Sequence, residues 1–107
     1  YIVMEKCDGS LLSSLERMKT LTELTILEVL RQMLTAICCI HSINVVHRDI
    51  KPDNFLVKNG AIKLCDFGMA EVLDKNKPSL VGVFGTAPYM SPEMLNGKPY
   101  DAMTDVW

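Results

Sequence analysis

His47-Arg48-Asp49-Ile50-Lys51-Pro52-Asp53-Asn54 is followed, after a short hairpin, by Asp66-Phe67-Gly68. Together they put a proton-accepting carboxylate, a lysine and oxygen-bearing side chains suited to a hard divalent cation on adjoining loops. This is the equipment for moving a phosphoryl group from a nucleotide to a hydroxyl. Five fixed letters in the first stretch and three in the second coincide by chance on the order of once in twenty to the eighth power, whereas Asp-Phe-Gly alone carries little weight.

The elements around these loops follow from local pattern. Tyr1 to Met4 is a short β-prone run, and Asp8-Gly9-Ser10 reads as the turn that ends it. Leu11, Leu12 and Leu15 suit a short helix. A longer helix is predicted from Thr22, whose hydroxyl can accept from unpaired backbone amides, with Glu23 favouring the positive helix end. Ile26, Val29, Leu30, Met33, Leu34, Ile37 and Ile40 recur at three- and four-residue steps and predict one buried face. Asn44, Pro52 and Asp53 break regular structure, so residues 47–54 are expected as a loop. Phe55-Leu56-Val57 and Ile62-Lys63-Leu64-Cys65 are β-prone, and Asn59-Gly60 between them is a hairpin turn, since both residues tolerate positive φ. From Met69 to Ser91 periodicity is lost over a length too great for an idle connection.

The motifs resemble those of the eukaryotic protein kinase family, on its serine/threonine branch, and the resemblance runs over essentially all 107 residues. It implies an α+β, protein-kinase-like fold, present in part: mainly the helical C-terminal lobe, with a hinge strand and a small β-hairpin. Residues 1–107 would then be a partial kinase domain of hinge, catalytic loop and activation segment. The opening inside an apparent strand and the close at Asp105-Val106-Trp107 read as a piece of a longer protein. By the same resemblance, Asp49 accepts the substrate proton, Lys51 stabilises the transferring phosphoryl group, and Asn54 and Asp66 hold Mg2+. Met4, Glu5, Cys7 and Leu56 line the ATP site, with Met4 as gatekeeper and Leu56 beneath the adenine. Thr86, in Gly85-Thr86-Ala87-Pro88-Tyr89-Met90-Ser91-Pro92-Glu93, belongs to the substrate-docking segment beside Asp49 and Lys51. His47, Arg48, Phe67, Gly68, Glu93 and Asp105 are structural: His47 packs on Phe67, and Asp105 anchors the backbone around His47 and Arg48. His41 and Cys65 are read as structural too, Cys65 bordering the nucleotide pocket.

The implied reaction transfers the ATP γ-phosphoryl, with Mg2+, to a Ser or Thr hydroxyl of a protein substrate. The chain alone is expected to be inactive without the rest of the parent kinase domain. A pseudokinase or binding module is the alternative, and a small-molecule kinase of related fold is disfavoured by the docking segment. The chain departs from the pattern in its activation segment. Arg48 is the family's cue for control by loop phosphorylation, yet Gly82 stands where many members carry Ser or Thr. Ser79 is the only hydroxyl of that loop before Thr86, and Glu71 would repel a phosphate held by Arg48.

The bulk properties set limits. Apolar residues make up 49% of the chain, enough for one core, and a net charge of −2 without a basic block argues against nucleic-acid or membrane partners. Four cysteines without a CxxC pair point to reduced thiols and a cytoplasmic setting. Uninterrupted apolar runs are far short of the ~20 residues that span a bilayer.

Overall fold

In the computed structural model, residues 1, 3–74, 76 and 78–107 are described. They divide into two compact units, residues 1–36 with 52–65, and residues 37–51 with 66–107. Helices and small antiparallel sheets make up both.

The first unit is organised by the hairpin. Strands β3 (Phe55–Lys58) and β4 (Ala61–Leu64) pair from Phe55↔Leu64 to Lys58↔Ala61. Asn59 and Gly60 turn the chain with φ of 50° and 78°, the two left-handed steps that match the twist of the strands. A third strand, β1 (Gly9–Ser10), lies on the other edge of β3, with Gly9 opposite Val57 and Ser10 opposite Leu56. The expected turn at Asp8-Gly9-Ser10 is therefore an edge strand. The Asp8 amide donates to the Val57 carbonyl, and its carboxylate accepts from the Asn59 amide at 2.7 Å, closing the hairpin tip. Helix α1 (Leu11–Glu16) starts at once, because Ser10 accepts from the Ser13 amide as its N-cap, and Leu11 is buried.

The expected opening strand is not formed. Tyr1, Val3 and Met4 are irregular and open to solvent, Val3 at 95% and Met4 at 78%, and Ile2 lies outside the described residues. β-prone side chains make a strand only where a ladder receives them, and these find none among the described residues.

Helix α2 (Glu23–His41) begins where the Thr22 hydroxyl accepts from the Thr25 amide at 3.2 Å. Its apolar stripe is only half covered. Val29, Met33 and Ile40 are part-buried and Ile37 is buried, whereas Ile26, Leu30 and Leu34 are exposed. The helix turns 100° per residue, so this seven-residue stripe is wider than the face that packs. By length and composition α2 could cross a bilayer, although no uninterrupted apolar run in it reaches that span. Its middle carries a Glu28–Arg31 ion pair at 2.7 Å, and Gln32 accepts from the Ile62 amide at 2.8 Å.

The second unit is built on short pairings. Strands β2 (Val45–Val46) and β5 (Glu71–Val72) run antiparallel with Val46 opposite Glu71, and the Leu73 amide donates to the Asn44 carbonyl. The pair interrupts what reads from sequence as featureless loop. Farther along, Leu80 and Tyr100 exchange two backbone hydrogen bonds of 2.7 and 2.9 Å. Helix α3 (Pro92–Leu95) is capped by Ser91, with Pro92 in the first turn, where its missing N–H is harmless. The buried Ser91 hydroxyl also meets that of Thr104 at 2.7 Å. Val46, His47, Met94, Tyr100 and Asp105 form the buried interior of this unit, and a 3-10 turn over Ala102–Val106 carries Asp105 into it.

Candidate active site

Asp105 is 4% exposed, and its carboxylate holds the two residues that lead into Asp49. One oxygen accepts from the His47 amide at 2.7 Å and from the His41 ring at 2.9 Å; the other accepts from the Arg48 amide at 2.8 Å. A buried carboxylate is stable only when its lone pairs are met in this way. The loop bends sharply there, with Arg48 at φ 67°. His47 is fully buried, takes the Asp49 amide on Nδ1 at 3.3 Å, and packs edge-on against Phe67 with centroids 4.9 Å apart.

These anchors deliver Asp49, 8% exposed, into a closed triangle. The Thr86 hydroxyl donates to Asp49 Oδ1 at 2.7 Å, while Lys51 Nζ donates to Thr86 Oγ1 at 2.7 Å and lies 2.9 Å from Asp49 Oδ2. A fixed carboxylate beside an ammonium can take a proton and steady growing negative charge within one group of atoms.

Gly85 makes the triangle possible. Its φ is +95°, and a Cβ there would run into the Arg48 carbonyl and come within 3.2 Å of Asp49 Oδ1. Sequence reading passed over this residue, although a glycine directly before Thr86 was the available signal. Gly85→Ala is expected to destabilise the full-length protein by about 1–3 kcal/mol, from left-handed strain alone. Urea unfolding measures it, and an unchanged midpoint would contradict the close approach.

Asp66 has φ 59° and ψ 71°, and its exposed carboxylate accepts from the Gly68 amide at 3.4 Å. Aspartate tolerates the left-handed region better than most side chains, which leaves its carboxylate displayed at the head of the Phe67–Met69 turn. Asn54 belongs to the first unit, and Asp49 and Asp66 to the second. Asn54 is buried, and its carbonyl accepts from the Cys65 amide at 2.9 Å. Asn54 and Asp66 each carry a side-chain oxygen, the donor type that a hard cation such as Mg2+ takes.

Of the residues assigned to the nucleotide, Leu56 is half-buried in β3, Cys7 is part-buried, and Met4 stands in the open. Glu5 bridges the hairpin, 2.8 Å from Lys58 and 2.6 Å from Lys63. Hydrogen bonds from Lys58 and then Lys63 hold its carboxyl at about 2, against an ordinary 4.5. The folded value is depressed, so this tether is complete above the ordinary value and fades as pH falls from there through about 2. Because the groups are exposed and screened, it orders the segment without adding much global stability. Glu5→Gln is expected to speed amide exchange over residues 3–8 at neutral pH with the melting temperature unmoved; unchanged exchange would count against the bridge.

Glu93 sits in the first turn of α3 and lines a cavity of about 260 Å³ with Ser79, Tyr100 and Asp101. Its side chain has no ion-pair partner among the described residues. Arg48 has the opposite character. Its Nε donates to the Met69 carbonyl at 2.5 Å, its Nη2 meets Glu71 at 3.2 Å, and its guanidinium lies 4.1 Å from the centre of the Phe84 ring. Sequence reading set Glu71 against a phosphate and missed both the ion pair and Phe84.

A family model described as "Protein kinase domain" matches residues 1–107. The chain is 40% identical to Serine/threonine-protein kinase 36 of Pongo abelii, over 99% of this chain and 8% of that protein. It is 41% identical to Serine/threonine-protein kinase KIC1 of Saccharomyces cerevisiae, over 100% of this chain and 10% of that protein. Against Serine/threonine-protein kinase ULK1 of Homo sapiens the identity is 37%, over 100% of this chain and 11% of that protein. The chain thus spans about a tenth of the length of these relatives. With a match from the first residue to the last and relatives of one kind, the chain belongs to the serine/threonine protein kinase family.

Proposed function

We propose that the protein carrying this chain transfers the γ-phosphoryl of ATP to a serine or threonine hydroxyl of a protein substrate, with Mg2+. The single observation that supports this most is the triangle of Asp49, Lys51 and Thr86. Asp49 accepts the proton of the incoming hydroxyl, and Thr86 keeps the carboxylate from turning away. Lys51 stands where charge builds on the transferring group. Asn54 and Asp66 are the residues that would hold magnesium, and the bound ion would neutralise phosphate oxygens. Met4, Glu5, Cys7 and Leu56 border the adenine in this reading, and Thr86 fronts the protein substrate.

The same reading takes residues 1–107 as hinge, catalytic loop and activation segment, chiefly of the helical lobe. The chain alone is then inactive, because the remainder of the kinase domain completes the nucleotide site. Cys7, Cys38, Cys39 and Cys65 form no disulfide, in keeping with a reducing, cytoplasmic setting.

The test is an assay of the full-length protein with γ-labelled ATP and a mixed peptide library. Magnesium-dependent label on Ser and Thr, absent from Tyr, is the expected result. Nucleotide binding without any transfer would replace this reading with that of a pseudokinase.

A further inference from the structure

The Arg48 side chain is heavily engaged within the second unit, by Met69, Glu71 and Phe84 of the segment that follows Phe67. Its side chain is 7% exposed, so the guanidinium has been taken out of water and needs a counter-charge and hydrogen-bond acceptors. Glu71 supplies the charge and the Met69 carbonyl an acceptor, while Phe84 covers one face of the planar group at 4.1 Å. Glu71 does not arrive by chance. The β2–β5 pairing sets it opposite Val46, two residues before Arg48.

The same arginine is tied to the candidate chemistry at both ends. Its amide is held by Asp105, and its carbonyl is the surface against which Gly85 packs. Phe84, Gly85 and Thr86 are consecutive: the first lies on the guanidinium, the second on the Arg48 backbone, and the third donates to Asp49. A shift of the guanidinium is therefore passed along three residues to the proton acceptor.

We propose that Glu71 is a positioning residue, whose carboxylate, together with the Met69 carbonyl and the Phe84 ring, saturates Arg48 and holds residues 69–73 and 84–86 in their working arrangement without a phosphate. An added phosphate would have to displace a carboxylate already in place. Nor is the one loop hydroxyl well placed to supply it: Ser79 lines a cavity whose charged members among the described residues, Glu93 and Asp101, are both acidic. A dianion there would meet like charge.

The kinetic part of this inference rests on the phosphoryl-transfer reading; the conformational part does not. The experiment therefore has two arms, run on full-length protein before and after phosphatase treatment, as wild type, Glu71→Gln, Glu71→Asp and Ser79→Ala. In the first arm, Glu71→Gln is expected to lower kcat roughly tenfold or more while KM for ATP stays within about twofold. Glu71→Asp should recover most of the loss, since it restores the charge. Ser79→Ala and phosphatase treatment should change nothing. In the second arm, limited proteolysis should leave residues 69–73 and 84–86 of the wild type intact and cut Glu71→Gln within them, whether or not the protein transfers phosphate. Equal protection of wild type and Glu71→Gln would overturn the proposal. So would a phosphatase-induced loss of wild-type activity as large as that of Glu71→Gln. A wild type that is protected but transfers nothing would sink the activity reading and leave Glu71 in place.

Discussion

Asp49→Asn in the full-length protein is expected to lower phosphoryl transfer by roughly two to four orders of magnitude, the range of a lost general base, with ATP binding retained. The substitution isolates chemistry from architecture. Asparagine is nearly the shape of aspartate and keeps an oxygen that can accept from the Thr86 hydroxyl, now 2.7 Å from Oδ1. What it removes is the capacity to take a proton and the charge that faces Lys51 at 2.9 Å. A fall in kcat with little change in KM for ATP is the signature of an interaction made in the transition state. Single-turnover kinetics with γ-labelled ATP, beside a nucleotide-binding titration, measure both quantities. Activity within tenfold of wild type would remove Asp49 from the role of proton acceptor.

Asp105→Ala should have the largest effect on stability of any single change in the second unit. Three donors converge on that carboxylate: the amides of His47 and Arg48 and the ring of His41. Alanine leaves the two amides facing a void in a buried place, and each unsatisfied group costs about 1–3 kcal/mol. The sum, about 2–6 kcal/mol, is a large part of the margin by which most domains stay folded. Asp105→Asn should be milder, because an amide oxygen can still accept from one side. Denaturant titration of the three proteins ranks them, and a loss under about 1 kcal/mol for the alanine variant would refute the anchoring role. Loss of activity should accompany it, since Asp49 follows directly on the two amides.

How far the sequence could be read depended on whether the deciding interaction was local. Thr22 announces α2 and Asn59-Gly60 announces the hairpin because their effects act within three or four residues. The motif around Asp49 is local too, so its loop was legible along with its residues. Tyr1 to Met4 failed for the opposite reason: strand propensity is realised only against a partner, and no ladder among the described residues receives it. The two-residue strands Val45–Val46 and Glu71–Val72 lie below the length at which alternation can be seen, so their pairing could not be anticipated. That pairing also brings Glu71 to Arg48, an ion pair that weighing Glu71 against a phosphate did not anticipate. The breadth of the α2 stripe misled in a simpler way, since Ile26, Leu30 and Leu34 share its period but not its cover.

The main chain at Asp66 is bent into a shape that suits a residue with no side chain at all. Glycine at this position would be more comfortable for the polypeptide and chemically blank. In the proposed phosphoryl-transfer role, durability and reactivity therefore pull in opposite directions at one carboxylate, and screening variants by heat tolerance alone would tend to select against that role.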